Sequence, residues 1–137
     1  MKHDENCIFC KIIKGDIPSY KIYEDELTYA FLDIAKDAYG HTLVIPKNHC
    51  VNILDADNET HIAVCNTVKR ISEYYVKTSK CAGVNTFNCN NVEAEQSVFH
   101  YHVHIIPRKK DDGIHIWNNK TTSDIDLEKV QNELKLN

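Results

Sequence analysis

Three histidines alternate with apolar residues in the run Phe99-His100-Tyr101-His102-Val103-His104-Ile105. Side chains alternate faces along a strand, so His100, His102 and His104 are expected on one face. Phe99, Tyr101, Val103 and Ile105 would then face the core. Such a row spaces its imidazoles about 7 Å apart, with the outer two separated by roughly 13 Å. Zinc–nitrogen bonds of about 2.0–2.1 Å let one metal bind two neighbours from a straight strand, but hardly all three. A phosphate, which accepts hydrogen bonds on several sides, fits better between two adjacent rings. With an ordinary pKa near 6.5, an imidazole is mostly neutral at neutral pH and able to attack phosphorus. Attack requires that the other ring nitrogen be held by a hydrogen bond that fixes the tautomer. A single strand histidine is usually a surface residue or a satisfied core residue, and a His-x-His pair also suits a metal. Three in alternation against an apolar face favour catalysis.

A second candidate lies near the start. Cys7 and Cys10 have zinc-ligand spacing, although one Cys-x-x-Cys is only half a site. A redox role would require a strand before Cys7, and none is expected there. Cys50, Cys65, Cys81 and Cys89 sit in apolar or mixed stretches and read as small core residues.

The elements that must position these groups are legible from local patterns. Residues 8–13 suit a short helical turn, ended by Gly15 and Pro18. Residues 20–23 and 27–32 read as two strands joined at Asp25-Glu26. Residues 42–45 form a further strand, stopped by Pro46. From 58 to about 80, Ile62, Cys65, Val68, Ile71 and Tyr75 recur every three or four residues and mark one long helix. Residues 83–89 and 98–106 read as strands. Ser123 is expected to open a last helix, with Asp126 completing a capping box and Leu127, Val130 and Leu134 forming its stripe. Consecutive strands without helical crossovers imply an antiparallel sheet. The fold class is therefore α+β, with about five strands, one long helix and shorter terminal helices.

Composition bounds the partners. The chain has 137 residues, 42 % hydrophobic and 26 % charged, which suits one soluble globular domain over 1–137. Its net charge of −4 offers no general attraction for nucleic acid, and Arg108-Lys109-Lys110 is the one tight basic cluster. No stretch has the eighteen or so apolar residues of a membrane span, and the first residues lack the apolar core of a signal peptide. A cytoplasmic location is expected.

The run Gln96-Ser97-Val98-Phe99-His100-Tyr101-His102-Val103-His104-Ile105-Ile106 resembles the signature of the histidine triad (HIT) family. The similarity continues through Ile8-Phe9-Cys10-Lys11-Ile12-Ile13, Phe31-Leu32-Asp33-Ile34 and Gly40-His41-Thr42-Leu43-Val44-Ile45-Pro46-Lys47. It spans about residues 7–108, leaving a tail and helix over 109–137. The chain looks like the Hint-like branch, and within it the bacterial-type members with a Cys-x-x-Cys near the start.

The resemblance implies an HIT-like fold and an enzyme that cleaves at the α-phosphate of purine nucleoside phosphoramidates or adenylylated amines. The middle histidine, His102, would form a nucleotidyl-histidine that water then hydrolyses. His104 would contact the phosphate and help the leaving group, His41 would support the site from the neighbouring strand, and Ser97 would supply a hydroxyl. Asp33 would accept hydrogen bonds from the ribose hydroxyls, as a carboxylate can from two neighbours at once. Ile8, Phe9, Ile12, Phe31 and Leu43 would line the base pocket, with Gln96 also among the substrate-binding positions. Cys7 and Cys10 would be joined by His49 and His100 in a closed structural zinc site, which removes His100 from catalysis. The family also implies a homodimer that extends the sheet and packs the long helices, to which Tyr74, Tyr75 and Val76 would add apolar surface.

Two departures stand out. Cys89 occupies a position where the family carries asparagine, with Asn88 and Asn90 beside it. Asn91 and Glu95 stand where glycines are common, and the Glu95 charge would lie near the phosphate. Alternative readings are a dinucleoside polyphosphate hydrolase, a nucleotide-binding protein with little catalysis, and a metal-dependent hydrolase.

Overall fold

The computed structural model describes residues 1–117 and 124–136. In chain order its elements are α1 (Ile8–Lys14), β1 (Lys21–Glu24), β2 (Thr28–Leu32), β3 (Thr42–Pro46), α2 (Asn58–Lys77), β4 (Gly83–Phe87), β5 (Val103–Arg108) and α3 (Leu127–Leu134). The five strands form one antiparallel sheet in the order β1-β2-β3-β5-β4. This is the expected α+β architecture. No helix among the described residues is long and apolar enough to cross a membrane.

The central strand β3 is buried throughout, which accounts for its unbroken apolar run. Its alternate residues divide between two cores. Val44 joins Ala30, Val64, Ile71, Tyr75, Tyr101 and Ile105 beneath α2. Leu43 and Ile45 join Phe9, Ile12, Tyr29 and Phe31 beneath α1 on the opposite face. The short α1 thus becomes a wall over the sheet. Gly15 ends it in a left-handed conformation (φ 91°) that favours glycine.

Three expectations about the helices change. The buried stripe of α2 is Thr60, Val64, Thr67, Ile71 and Tyr75, while Ile62 and Cys65 are exposed. Threonines supply two of these five inward residues, and Thr67 hydrogen-bonds Thr28 across the core (2.7 Å), so hydrophobicity alone misplaced the stripe. Tyr75, counted both in the apolar stripe and with Tyr74 and Val76 as extra outer surface, belongs to the stripe alone: it is buried with its hydroxyl 2.8 Å from Thr42 Oγ1. The last helix begins at Leu127 and is capped by Asp126, whose carboxylate accepts from the Glu128 and Lys129 amides. Ser123 lies outside the described residues.

The histidine run also differs. The ladder of β5 starts at Val103, so only His104 of the triad lies within a strand. Upstream, Pro46 has no N–H with which to extend pairing from β3. There the Tyr101 amide donates to the Cys50 carbonyl (2.8 Å), and Asn88 Nδ2 donates to the His102 carbonyl (2.8 Å). Tyr101 and Ile105 face the core as expected, whereas Phe99 is half exposed.

Candidate active site and metal centre

His102 is buried, and its Nδ1–H donates to the His100 carbonyl at 2.7 Å. A carbonyl can only accept, so Nδ1 carries the hydrogen and Nε2 keeps its lone pair. Burial pushes the His102 pKa down and keeps the ring neutral at neutral pH. The edge of Phe9 packs against it at 5.3 Å between ring centres. These are the properties of a preset nucleophile.

His104 stands beside it, with ring centres 5.0 Å apart rather than the expected 7 Å, because the bend before β5 turns the rings together. Its Nδ1 lies 2.8 Å from His41 Nε2, and Phe87 stacks on its face at 4.3 Å. Burial pushes the His104 pKa down to about 4. His41 is set by its backbone. Gly40 has φ 77°, and a β-carbon there would meet Pro107 of β5 at 3.1 Å, so glycine brings the loop close enough for His41 to reach His104. The Asp33 amide donates to the His41 carbonyl at 2.8 Å, which ties the ends of the β2–β3 loop together.

A cleft of about 510 Å³ opens in front of His102 and His104. Ile8, Phe9, Ile12, Phe31 and Leu43 line it, as do Asp33 and Ser97. His41 lies behind His104 rather than in the lining. Local patterns did not single out Ile17, Pro18, Ser19 and Tyr20, which complete the wall as the chain leaves α1. Their signal was the Gly15/Pro18 stop, which turns the chain back over the sheet.

Gln96 sits elsewhere. It is buried behind the cleft, where Oε1 accepts from Asn52 Nδ2 (3.1 Å) and the Asn91 amide (2.9 Å). Its Nε2 donates to the Val51 and Val98 carbonyls, at 2.7 and 3.1 Å. Both donors and both acceptors are therefore engaged in holding the loop, and none is left for substrate. Asn91 and Glu95 adopt the positive φ angles (75° and 65°) that glycines would accept more readily. Glu95 is exposed and does not line the cleft, so its charge is not set against the phosphate. Near Cys89, Asn88 holds the His102 carbonyl, and Asn90 donates to Asn88 while accepting from the Ile53 amide.

His100 faces away from the cleft. Cys7, Cys10, His49 and His100 place their ligand atoms within 4.8 Å of one another and could hold a metal. His100 Nδ1 is 3.4 Å from Cys7 Sγ, 3.6 Å from Cys10 Sγ and 3.1 Å from His49 Nδ1, and Cys10 Sγ is 3.4 Å from His49 Nδ1. A tetrahedral zinc with S and N ligands separates them by about 3.3–3.8 Å, so the residues fit. His100 Nε2–H donates to the Pro46 carbonyl (2.8 Å), which leaves Nδ1 as the ligand nitrogen. The Asp4 and Cys10 amides point at the two sulfurs. Burial raises the Cys10 thiol, so a thiolate there would need a bound cation to stabilise it. Asp33, His41 and His104 form a second compact group.

Fold and site together define an α+β domain with two histidines at the mouth of a largely apolar cleft, and comparison with known proteins gives the family. The HIT domain family matches residues 14–111, and the chain belongs to it. The protein Hit of Bacillus subtilis is 53 % identical over 104 residues, covering 76 % of this chain and 72 % of that one. The adenosine 5′-monophosphoramidase of Saccharomyces cerevisiae is 42 % identical over 106 residues, covering 77 % and 65 %. A crystal structure of an HIT family member from Bacillus subtilis superposes with a TM-score of 0.83 at 47 % identity, covering 94 % and 92 %. A zinc-bound histidine triad protein from Mycobacterium smegmatis gives 0.77 at 36 % identity, covering 85 % and 84 %.

Proposed function

We propose that the chain is a nucleotide hydrolase that cleaves purine nucleoside phosphoramidates or adenylylated amines at the α-phosphate, through a nucleotidyl-His102 intermediate. The observation that carries this reading is the locked tautomer of His102, with Nδ1 committed to a carbonyl and Nε2 free beside the cleft. Nε2 attacks phosphorus, the P–N bond breaks, and its electron pair leaves with the amine. The His100 carbonyl on Nδ1–H stabilises the positive charge that develops on the ring. His104 and His41 serve the leaving group, Ser97 the phosphate, and water completes the cycle. Asp33 takes the ribose hydroxyls, since its Oδ2 is the oxygen not engaged by the Ala35 amide. The apolar wall from Ile8 to Leu43 holds the base by contact, which favours purines by area rather than by pattern.

Zinc is the metal assigned to Cys7, Cys10, His49 and His100. When bound it supplies structure, tying the start of α1 to the segment after β3 and to the His100 backbone that orients His102. The adenosine 5′-monophosphoramidase relative and the zinc-bound neighbour support these two assignments. The enzyme acts as a homodimer, with the exposed Ile62, Tyr74 and Val76 of α2 as part of the covered surface. Comparing kcat/KM on an adenosine 5′-phosphoramidate and a diadenosine polyphosphate tests the substrate class. Preference for the first by about tenfold or more is expected. A preference of that size for the second reverses the assignment.

A further inference from the structure

We propose that Asp37 is a positioning residue of this centre: it orders the ring nitrogens of His41, and through them those of His104, so that the pair can hand a proton to the leaving group. The inference deepens the hydrolase reading above and rests on it. No motif marks Asp37, which lies in the unremarkable loop Ala35-Lys36-Asp37-Ala38-Tyr39. An aspartate in such a loop is ordinarily just solvated. Here Oδ1 lies 2.7 Å from His41 Nδ1, with the Asp37 side chain 57 % exposed and the His41 side chain only 6 %. The hydrogen bond from His41 holds the Asp37 carboxyl below its usual value.

A carboxylate accepts, so His41 Nδ1 carries the hydrogen. In the neutral pair His41 Nε2 then has only a lone pair, and His104 Nδ1–H donates to it across 2.8 Å. An added proton enters at His104 Nε2, the ring nitrogen that has no partner in His41, and the His104 Nδ1 hydrogen crosses to His41 Nε2. The positive charge then rests on the His41 ring, between Asp37 and His104, and His104 is left neutral with its hydrogen on Nε2. When the amine departs with the P–N electron pair, it takes that Nε2 proton. The proton on His41 Nε2 moves to His104 Nδ1, and the neutral arrangement is restored. One proton is taken up when the P–N bond breaks, and one is released when water hydrolyses the nucleotidyl-His102, so the cycle balances.

The groups facing this pair come from several elements. Asp33, after β2, has Oδ2 3.7 Å from His41 Nε2. His102 approaches from the run before β5, and the uncharged Phe87 of β4 covers His104. Burial, His102 and His41 oppose a proton on His104, whereas Asp33 and Asp37 favour one. Asp37 alone of these does so through a direct hydrogen bond to the relay.

Two substrates separate this role from a merely structural one. An adenosine 5′-phosphoramidate of an alkylamine has a leaving group that needs a proton; the p-nitrophenyl ester of adenosine 5′-phosphate has one that does not. For Asp37→Ala, kcat on the first should fall about tenfold or more, with KM held within about twofold, and fall distinctly less on the second. Asp37→Asn, which keeps an acceptor but no charge, should lie between the variant and the wild type. Nitrogen-15 NMR of the free protein should show His41 protonated at Nδ1, and both tautomers in Asp37→Ala. Equal losses on the two substrates, or His41 signals unchanged by the substitution, overturn the proposal. A wild-type chain that cleaves neither substrate sinks the hydrolase reading instead, and the nitrogen signals still decide whether Asp37 orders the pair.

Discussion

At the scale of single residues, the proposed chemistry depends on His102 and His104 being kept neutral by burial. His104 shows the cost most clearly, because burial lowers it from 6.5 to about 4. The unfolded chain binds a proton there near pH 6.5, and the folded chain resists until about pH 4. The unfolded state therefore holds more protons between those values. The contribution to stability is fully present above pH 6.5 and is lost as pH falls toward 4, on the order of 2–3 kcal/mol at most. Denaturant melts at several pH values should show that fall, with a shallower slope in His104→Gln. An equal slope in the variant would place the titration elsewhere.

Which side chains gather at the cleft and in the Cys/His cluster was largely legible in the sequence. Alternation of histidine with apolar residues pointed to the row, and the resemblance supplied His41, Asp33 and the partners of Cys7 and Cys10. Spacing could not separate the three histidines, because a strand repeat assigns them one environment. Only the bend before β5 sends His100 toward Cys7 and leaves His102 and His104 at the cleft. Gln96 illustrates the opposite limit: a polar side chain beside a motif looks like a ligand contact until its four hydrogen bonds are found inside the loop. Asp37 carried no signal, since its partner is determined by how the β2–β3 loop folds back.

At the scale of elements, α1 and the loop before β5 have the most to answer for. The loop holds Asn91 and Glu95 at positive φ, where a side chain costs about 1–2 kcal/mol and glycine does not. Glycine gives back part of that through its freer unfolded chain. Glu95→Gly should raise stability by about 0.5–1 kcal/mol in denaturant melts. A loss of stability would mean that Glu95 makes a contact worth more than its strain. For α1, only seven residues long, packing alone is a weak anchor. Metal analysis should find stoichiometric zinc that disappears in Cys7→Ser. The variant should melt lower and show KM rising more than kcat falls, because α1 forms a wall of the cleft. Zinc retained in Cys7→Ser would reassign the centre.

At the scale of the whole molecule, the antiparallel order β1-β2-β3-β5-β4 has a simple basis. Each strand returns beside its predecessor, except where α2 intervenes and places β4 outside β5. Hairpin-length connections and one long helix were enough to read that class. The facing of α2 was not, because Thr60 and Thr67 are inward residues that hydrophobicity counts as polar. The sheet places one face against α2 for stability and gives the other to α1, the cleft and the Cys/His cluster. Structure and chemistry thus share β3 and β5 from opposite sides.

The central claim is that His102 Nε2 becomes covalently bonded to phosphorus. Mass spectrometry of the protein quenched during turnover of an adenosine phosphoramidate with a slowly hydrolysed intermediate tests it directly. The expected result is a single adenylyl adduct on the peptide carrying His102, with both adduct and turnover absent in His102→Ala. Full turnover by His102→Ala, or an adduct that persists on His104 instead, would contradict it.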